Sequence, residues 1–135
     1  MSIRTRKKSG FARTKNYPHK RHPATYNRIG NDEIEYITFT HHNPARINDK
    51  TYNTLPLSTN IDVSERGKSK SYAFPKVFVG KRSALGKEDK NLSLTKEDKK
   101  FVDSLFKTLP KEKVPYSTNS NKKNEDKKKK VPTSI

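Results

Sequence analysis

The sequence predicts a small α+β domain, with two or three short strands and one C-terminal helix, flanked by disordered basic arms. Two stretches rich in β-branched and aromatic residues indicate the strands, and a later stretch with apolar residues at helical spacing indicates the helix. Both ends are polar and basic, which is typical of segments that stay unfolded. The predicted organisation is a disordered arm over residues 1–31, a core over 32–109 and a disordered Lys- and Asn-rich tail over 110–135.

The first predicted strand covers residues 33–40. Successive side chains of an extended chain alternate between two faces, so Ile34 and Tyr36 point to one face and Ile37 and Phe39 to the other. Large apolar side chains in both directions predict either that both faces of the strand are covered or that a bulge shifts the alternation.

The second predicted strand and the helix lie in the other half of the core. The strand covers residues 71–79, and Pro75 within it cannot donate to a neighbour, so an edge position or a broken strand is expected. The helix is predicted over 95–109, because Thr95 is a suitable N-cap and Asp98 stands three residues later. Its apolar stripe consists of Phe101, Val102, Leu105, Phe106 and Leu109. We interpret this stripe as the contact with the strands, and docking of a partner helix is the alternative.

Composition narrows the class of protein. Of the 135 residues, 28% are hydrophobic and 33% charged, so the folded centre is small, and dimerisation or partner binding is one way to stabilise it. There is no cysteine for a disulfide or a thiolate site, and no apolar run is long enough to span a membrane. We therefore expect a cytoplasmic protein that is not an enzyme and uses no cofactor.

The formal net charge of +17 is concentrated at the ends of the chain. Residues 1–30 contain nine Lys and Arg residues and no acidic residue, whereas residues 31–109 contain fourteen basic and eleven acidic residues. Lys and Arg neutralise phosphates, and aromatic rings between them stack on exposed bases. The arm is therefore predicted to bind DNA or RNA. The predicted binding residues are Arg4, Arg6, Lys7, Lys8, Phe11, Arg13, Lys15, Tyr17, Lys20, Arg21 and Arg28.

The sequence contains two pairs of histidines, which are candidates for metal ligands or catalytic groups. His41 and His42 are adjacent at a strand end, where neighbouring side chains point to opposite faces, and prolines flank the segment of His19 and His22. DNA nickases use two histidines separated by one apolar residue and a tyrosine on a helix, a pattern that this sequence lacks. It also has no phosphate-binding glycine loop and no H-E-x-x-H motif. No catalytic or metal-binding residue is predicted.

Short motifs are spread over residues 38–106, about half of the chain. They are Thr40-His41-His42, Leu55-Pro56-Leu57 with Asn60 and Asp62, Tyr72 and Pro75, Lys81, Leu85-Gly86-Lys87, Leu94 and Asp98-Lys99. Together they resemble a group of small uncharacterised proteins encoded on bacterial mobile elements such as prophages, plasmids and integrative conjugative elements. The sequence departs from that pattern at His42, where serine is more usual, and at Ile61, where proline is. The resemblance implies a bacterial or phage-like setting and a nucleic-acid context, and it assigns no catalytic residue.

Two functions from different classes are expected. The first is a non-enzymatic nucleic-acid-binding accessory protein, which contacts the phosphate backbone mainly through its N-terminal basic arm. The alternative is a protein-interaction adaptor of a mobile-element or phage-encoded machine, whose arms serve solubility or electrostatic steering. In the adaptor, the helix stripe and the extended segments around Pro56 and Pro75 contact the partner. Salt separates the two, because only the first interaction is expected to weaken steeply as salt rises.

Overall fold

The computed structural model describes residues 8–47, 49–65, 67 and 70–115, and it is mostly β. Within these residues there are ten strands and one α-helix. The strands are β1 (Ser9–Thr14), β2 (Pro23–Arg28), β3 (Glu33–Thr40), β4 (Ala45–Ile47), β5 (Lys50–Tyr52), β6 (Leu55–Pro56), β7 (Tyr72–Ala73), β8 (Val77–Lys81), β9 (Leu85–Glu88) and β10 (Lys111–Lys113), and the helix is α1 (Lys96–Thr108).

Eight of the strands form one sheet, in which six follow the order β10-β8-β3-β2-β1-β9 and β6 and β7 lie off this path. All pairs along this order are antiparallel except β10 with β8, which run parallel. One edge of β3 is shared, because β8 pairs with its first half and β7 with its last two residues, and β6 then pairs with β7. The strands β4 and β5 form a separate hairpin. The long strand β3 therefore organises the sheet.

Both faces of the sheet are covered, as the alternation along β3 predicted. Ile34 and Tyr36 belong to one buried cluster, and Ile37 and Phe39 belong to the other. The alternation is regular, so no bulge within β3 is needed to explain its apolar side chains. This part of the sequence prediction is confirmed.

The two clusters differ in the side chains that build them. On the helix side, Val102, Leu105 and Phe106 of α1 pack in one cluster with Ile37 and other apolar residues of the strands. On the opposite, aromatic side, the ring centroid of Phe78 lies 5.5 Å from that of Tyr36 and 6.1 Å from that of Phe74. The apolar stripe of the helix is thus a core contact.

The helix itself follows the local signals in the sequence. Thr95 is the N-cap, and its hydroxyl accepts a hydrogen bond of 3.1 Å from the backbone N–H of Asp98. The last helical residue, Thr108, lies one position before Leu109, which closes the helix by donating to the carbonyl of Leu105. At thirteen residues and with a polar outer surface, this helix of the described chain is too short and too polar to cross a membrane.

The predicted fold class, a minimal α+β core of two or three strands flanked by disordered basic arms, is wrong. Within the predicted arm, residues 9–28 supply β1 and β2, which lie inside the sheet between β9 and β3. Within the predicted tail, Lys111–Lys113 pair with β8. These segments have weak local strand preference, and they are held by pairing with strands that are distant in sequence, which composition does not show. Residues 1–7 and 116–135 lie outside the described residues.

Candidate anion-binding face

An open cleft of about 600 Å³ lies where the end of β1, the β1–β2 connection and β9 meet. Two backbone hydrogen bonds fix the connection there. The N–H of Lys15 donates to the carbonyl of Ala84 at 3.0 Å, and the N–H of Arg21 donates to the carbonyl of Thr14 at 2.8 Å. The connection is therefore held against β1 and the segment that leads into β9.

Five cationic side chains and two carboxylates line this cleft. Both carboxylates are already engaged, because Asp89 pairs with Arg13, and Glu88 accepts from the Tyr26 hydroxyl and lies 3.8 Å from Arg82. The other four cations are exposed, and no ion pair within the described residues involves them. We call this set the basic cleft: Lys15, Arg21, Lys87 and Lys90. Their positive charge is available to an anion.

Arg21 occupies an unusual backbone conformation within this cleft. Its φ angle is 61°, in the left-handed region that non-glycine residues adopt at a cost of about 1 kcal/mol or more. The cost is compensated locally by the hydrogen bond from its own N–H to Thr14. The conformation turns the chain back towards β2 and leaves the guanidinium of Arg21 on the rim, where it borders both this cleft and a neighbouring pocket.

Arg13 was predicted to contact phosphate, and the structure gives it a different set of partners. Its Nη2 donates to Asp62 Oδ2 at 2.9 Å, and its Nε donates to Asp89 Oδ2 at 2.7 Å. Asp62 is completely buried. Burial alone would raise the pKa of Asp62, but hydrogen bonds from Ser64 and Arg13 outweigh it and lower the pKa. The guanidinium therefore holds two loops against β1.

Tyr17 was predicted to stack on a base, but its ring is part of the aromatic side of the core. The ring meets Phe78 edge-on at a centroid distance of 5.4 Å, and the hydroxyl donates to Glu112 Oε2 at 2.7 Å. Burial and the hydrogen bond to Glu112 raise the pKa of Tyr17 to about 12. This tyrosine links the β1–β2 connection to β10.

Substituting Tyr17 by phenylalanine keeps the ring and removes only the hydroxyl that donates to Glu112. We expect Tyr17→Phe to lower the free energy of unfolding by about 1 kcal/mol, since one hydrogen bond to Glu112 is lost, and to leave nucleic-acid affinity unchanged. Urea denaturation and an oligonucleotide titration measure the two quantities. Unchanged stability would show that the hydrogen bond to Glu112 contributes little.

Phe11 is the predicted aromatic residue that remains available. It lies in the middle of β1, and its cross-strand neighbours Thr25 and Ile37 place it on the helix side of the sheet. Its ring is half-buried and belongs to neither apolar cluster of the described residues. It stands two positions from Arg13, next to the basic cleft, so it is positioned to meet a ligand bound there.

The remaining predicted residues fall at two ends of the β1–β2 hairpin. Lys8 and Arg28 lie at the end far from the cleft, where the N–H of Arg28 donates to the carbonyl of Lys8. Lys20 is exposed beside the cleft end. Six residues of β1 separate the ends by roughly 17 Å. Arg4, Arg6 and Lys7 lie outside the described residues.

All four histidines of the chain gather beside the basic cleft. The ring centroids of His19 and His22 are 5.1 Å apart, and a pocket of about 250 Å³ is lined by His22, His41 and His42 together with Lys20, Arg21 and other residues. No group of three or more potential ligands among the described residues is placed to hold a metal ion.

Lys87 and Lys90 are the site residues that sequence reasoning missed. They lie 56 and 59 positions after the predicted arm ends at residue 31, and they reach the cleft because β9 pairs with β1. The only sequence signal was the basic segment 81–90, which resembled other basic stretches of the central region. Comparison with known proteins does not supply the missing information: no protein-family model, curated protein or solved structure matches this chain.

Proposed function

We propose that this chain is a non-enzymatic binding protein that holds the phosphate backbone of nucleic acid in the basic cleft. The observation that carries the proposal is the imbalance of the cleft, in which both carboxylates are engaged by the protein and four exposed cations are not. Cations of this kind attract any polyanion and release counterions when they meet phosphates. The setting we propose is the cytoplasm of a bacterium or of a phage-infected cell, in line with the sequence motifs.

Phe11 gives the proposed site a second kind of contact. The ring is half-buried on the helix side of the sheet, and stacking of a base on such a ring stabilises binding by about 1–3 kcal/mol. Lys8 lies roughly 17 Å from the cleft along β1, which corresponds to about five base-pair steps of duplex. The cleft and Lys8 would therefore contact separate phosphates of one strand.

The test replaces the four basic-cleft residues by glutamine in the full-length chain. Affinity for duplex and single-stranded DNA and RNA is measured over a salt series. Removing four phosphate contacts is expected to reduce the log–log salt slope on duplex by about 3 to 4 and to weaken binding about 10- to 100-fold at about 0.1 M salt. Deleting residues 1–30 is unsuitable, because this would remove β1 and β2.

The matched control replaces four other exposed lysines, so that its net charge changes by the same amount as that of the cleft variant. These are Lys96, Lys100, Lys107 and Lys113, on α1 and β10. The control variant is expected to keep the wild-type slope to within about 1, because these lysines lie outside the cleft. Equal loss in both variants would show that only the total charge matters and would contradict a site at the cleft.

One of the two sequence features that favoured the adaptor function, the apolar stripe of the helix, no longer supports it. The helix stripe that was considered for partner docking is buried in the core, where Val102, Leu105 and Phe106 pack against the sheet. The extended segments around Pro56 and Pro75 remain, and a homodimer or a protein partner stays a prediction. Binding that persists at high salt and in the cleft variant would favour the adaptor.

A further inference from the structure

The smaller pocket beside the basic cleft brings together histidines from two segments that are far apart in the sequence. His19 and His22 belong to the β1–β2 connection, and His41 and His42 follow β3. Histidine is the side chain whose charge changes between pH 5 and pH 8, and three of the four histidines of the chain lie where one ligand can meet them together. We call the pocket lined by His22, His41 and His42 the histidine pocket.

The hydrogen bonds around the pocket determine which ring nitrogens remain available. His22 Nδ1 lies 3.2 Å from the carbonyl of Phe39, and a carbonyl only accepts, so this nitrogen carries hydrogen and Nε2 is left for a ligand. His41 Nε2 lies 2.9 Å from Asn60 Oδ1. That oxygen also accepts from the N–H of Asp62, which fixes the amide, so His41 Nδ1 is the free nitrogen. Protonation gives each ring a second N–H donor, at the nitrogen that was free.

Charged side chains from three parts of the chain also line the histidine pocket. Arg13 comes from β1 and Lys20 and Arg21 from the β1–β2 connection, whereas Asp62 and Glu65 come from the loop after β6. Arg13 is shared between Asp62 and Asp89, and Glu65 is the one acidic group of the lining that no ion pair among the described residues engages. With three basic and two acidic side chains, the lining is cationic even before a histidine is protonated.

The geometry points to a second phosphate subsite: we propose that the histidine pocket binds a backbone phosphate of the nucleic acid held in the basic cleft, and that this contact strengthens as pH falls. This rests on the proposed function and names a regulated part of the same surface. Arg13 and Arg21 line both the cleft and the pocket, so one strand passing Arg21 reaches both. Protonation adds positive charge and ring N–H donors next to the phosphate.

The pKa of His22 in the protein without ligand is consistent with the proposed phosphate contact. Burial lowers the pKa of His22, the hydrogen bond to Phe39 opposes this, and the neighbouring histidines lower the pKa further. The folded protein therefore keeps this imidazole neutral until the solution is more acidic than for an ordinary histidine. A bound phosphate stabilises the charged ring, so phosphate binding and proton uptake support each other.

The test measures affinity for an oligothymidylate of roughly 20 nucleotides between about pH 8 and pH 6, over a salt series at each pH. Wild-type protein is expected to bind about tenfold more tightly at the acidic end. The salt slope there is expected to be steeper by about 0.7 for each added phosphate contact on a single strand. Within this range only histidines and the terminal amine of the chain titrate appreciably.

The main variant combines His22→Asn, His41→Gln and His42→Gln. Asparagine places an N–H where His22 Nδ1 donates, and glutamine places one where His41 Nε2 donates, so both internal hydrogen bonds are retained without a titrating group. This variant is expected to lose the pH response and to keep the wild-type affinity of pH 8. His42 is exposed, and His42→Gln alone is expected to reduce the gain in affinity on acidification by a factor of about two.

His19→Gln is the matched control, because His19 does not line the pocket and its Nε2 donates to the carbonyl of Arg46. It is expected to keep most of the pH response. A wild-type response that survives in the combined variant would overturn the phosphate subsite and leave the basic cleft standing. Absence of wild-type binding at every pH would overturn both, and unchanged affinity on acidification would overturn the subsite alone.

Discussion

Replacing Asp98 by alanine is expected to lower the free energy of unfolding by about 3 kcal/mol, because several hydrogen bonds to one buried carboxylate are lost together. Asp98 Oδ1 accepts from the N–H and the hydroxyl of Ser58, at 2.9 Å and 2.8 Å, and Oδ2 accepts from the hydroxyl of Thr59 at 2.9 Å. The carboxylate also lies in the first turn of α1, where the helix dipole favours negative charge. It therefore joins the start of the helix to the loop after β6.

Urea denaturation followed by circular dichroism measures this loss. Asp103→Ala is the matched control on the same helix, since Asp103 is exposed and pairs only with Lys99 within the described residues. The control is expected to change stability by less than about 0.5 kcal/mol. Similar values for the two variants would show that the buried hydrogen bonds of Asp98 contribute little.

The contribution of Asp98 depends on pH. Burial on its own would raise the pKa of Asp98, but the hydrogen bonds from Ser58 and Thr59 outweigh it and lower the pKa. The stabilisation is thus fully present above the pKa of an unfolded aspartate, about 3.9, and is lost as pH falls through the folded value. The difference between wild type and Asp98→Ala should accordingly be constant near neutrality and shrink in acid.

The second large effect is expected at Arg13. Arg13→Met should lower the free energy of unfolding by about 3 kcal/mol, because it leaves the carboxylate of Asp62 buried without its cation. If Arg13 instead served mainly as a phosphate contact, the substitution would weaken nucleic-acid binding and leave stability nearly unchanged. Thermal denaturation and the oligonucleotide titration distinguish these outcomes.

A double-mutant cycle with Asp62 isolates the pair. Arg13→Met combined with Asp62→Leu is expected to be more stable than the sum of the single changes predicts, because the buried charge and its partner are removed together. Additive effects would mean that the 2.9 Å contact carries little coupling energy, and Asp89 would then be the main partner of Arg13.

The sequence predicted those parts of the fold whose information is local. The helix was located by its N-cap at Thr95 and by apolar residues at helical spacing, and β3 was located by its β-branched and aromatic residues. The strands β1 and β2 carry no such local signal. Ala12 and Ala24 are fully buried, but small side chains in a polar segment do not indicate a strand.

The sequence predicts only part of the candidate cleft for the same reason. Lys15 and Arg21 were found because the arm is basic, and the structure places both in the basic cleft. The arm also contained Arg13 and Tyr17, which composition cannot separate from their neighbours, although both are engaged within the fold. Lys87 enters the cleft through the pairing of β9 with β1, a contact between residues more than seventy positions apart.

The way the sheet ends has a consequence for the behaviour of the protein at high concentration. Within the eight-stranded sheet of the described residues, the strands with one unpaired side are β6, β9 and β10. An unpaired strand edge is a template for another chain, and proteins guard such edges with proline, lysine and short length. Here β6 is two residues long and contains Pro56, β9 carries Lys87, and β10 is three residues long and carries Lys111 and Lys113. The strand edges thus resist the edge-to-edge association that leads to aggregation.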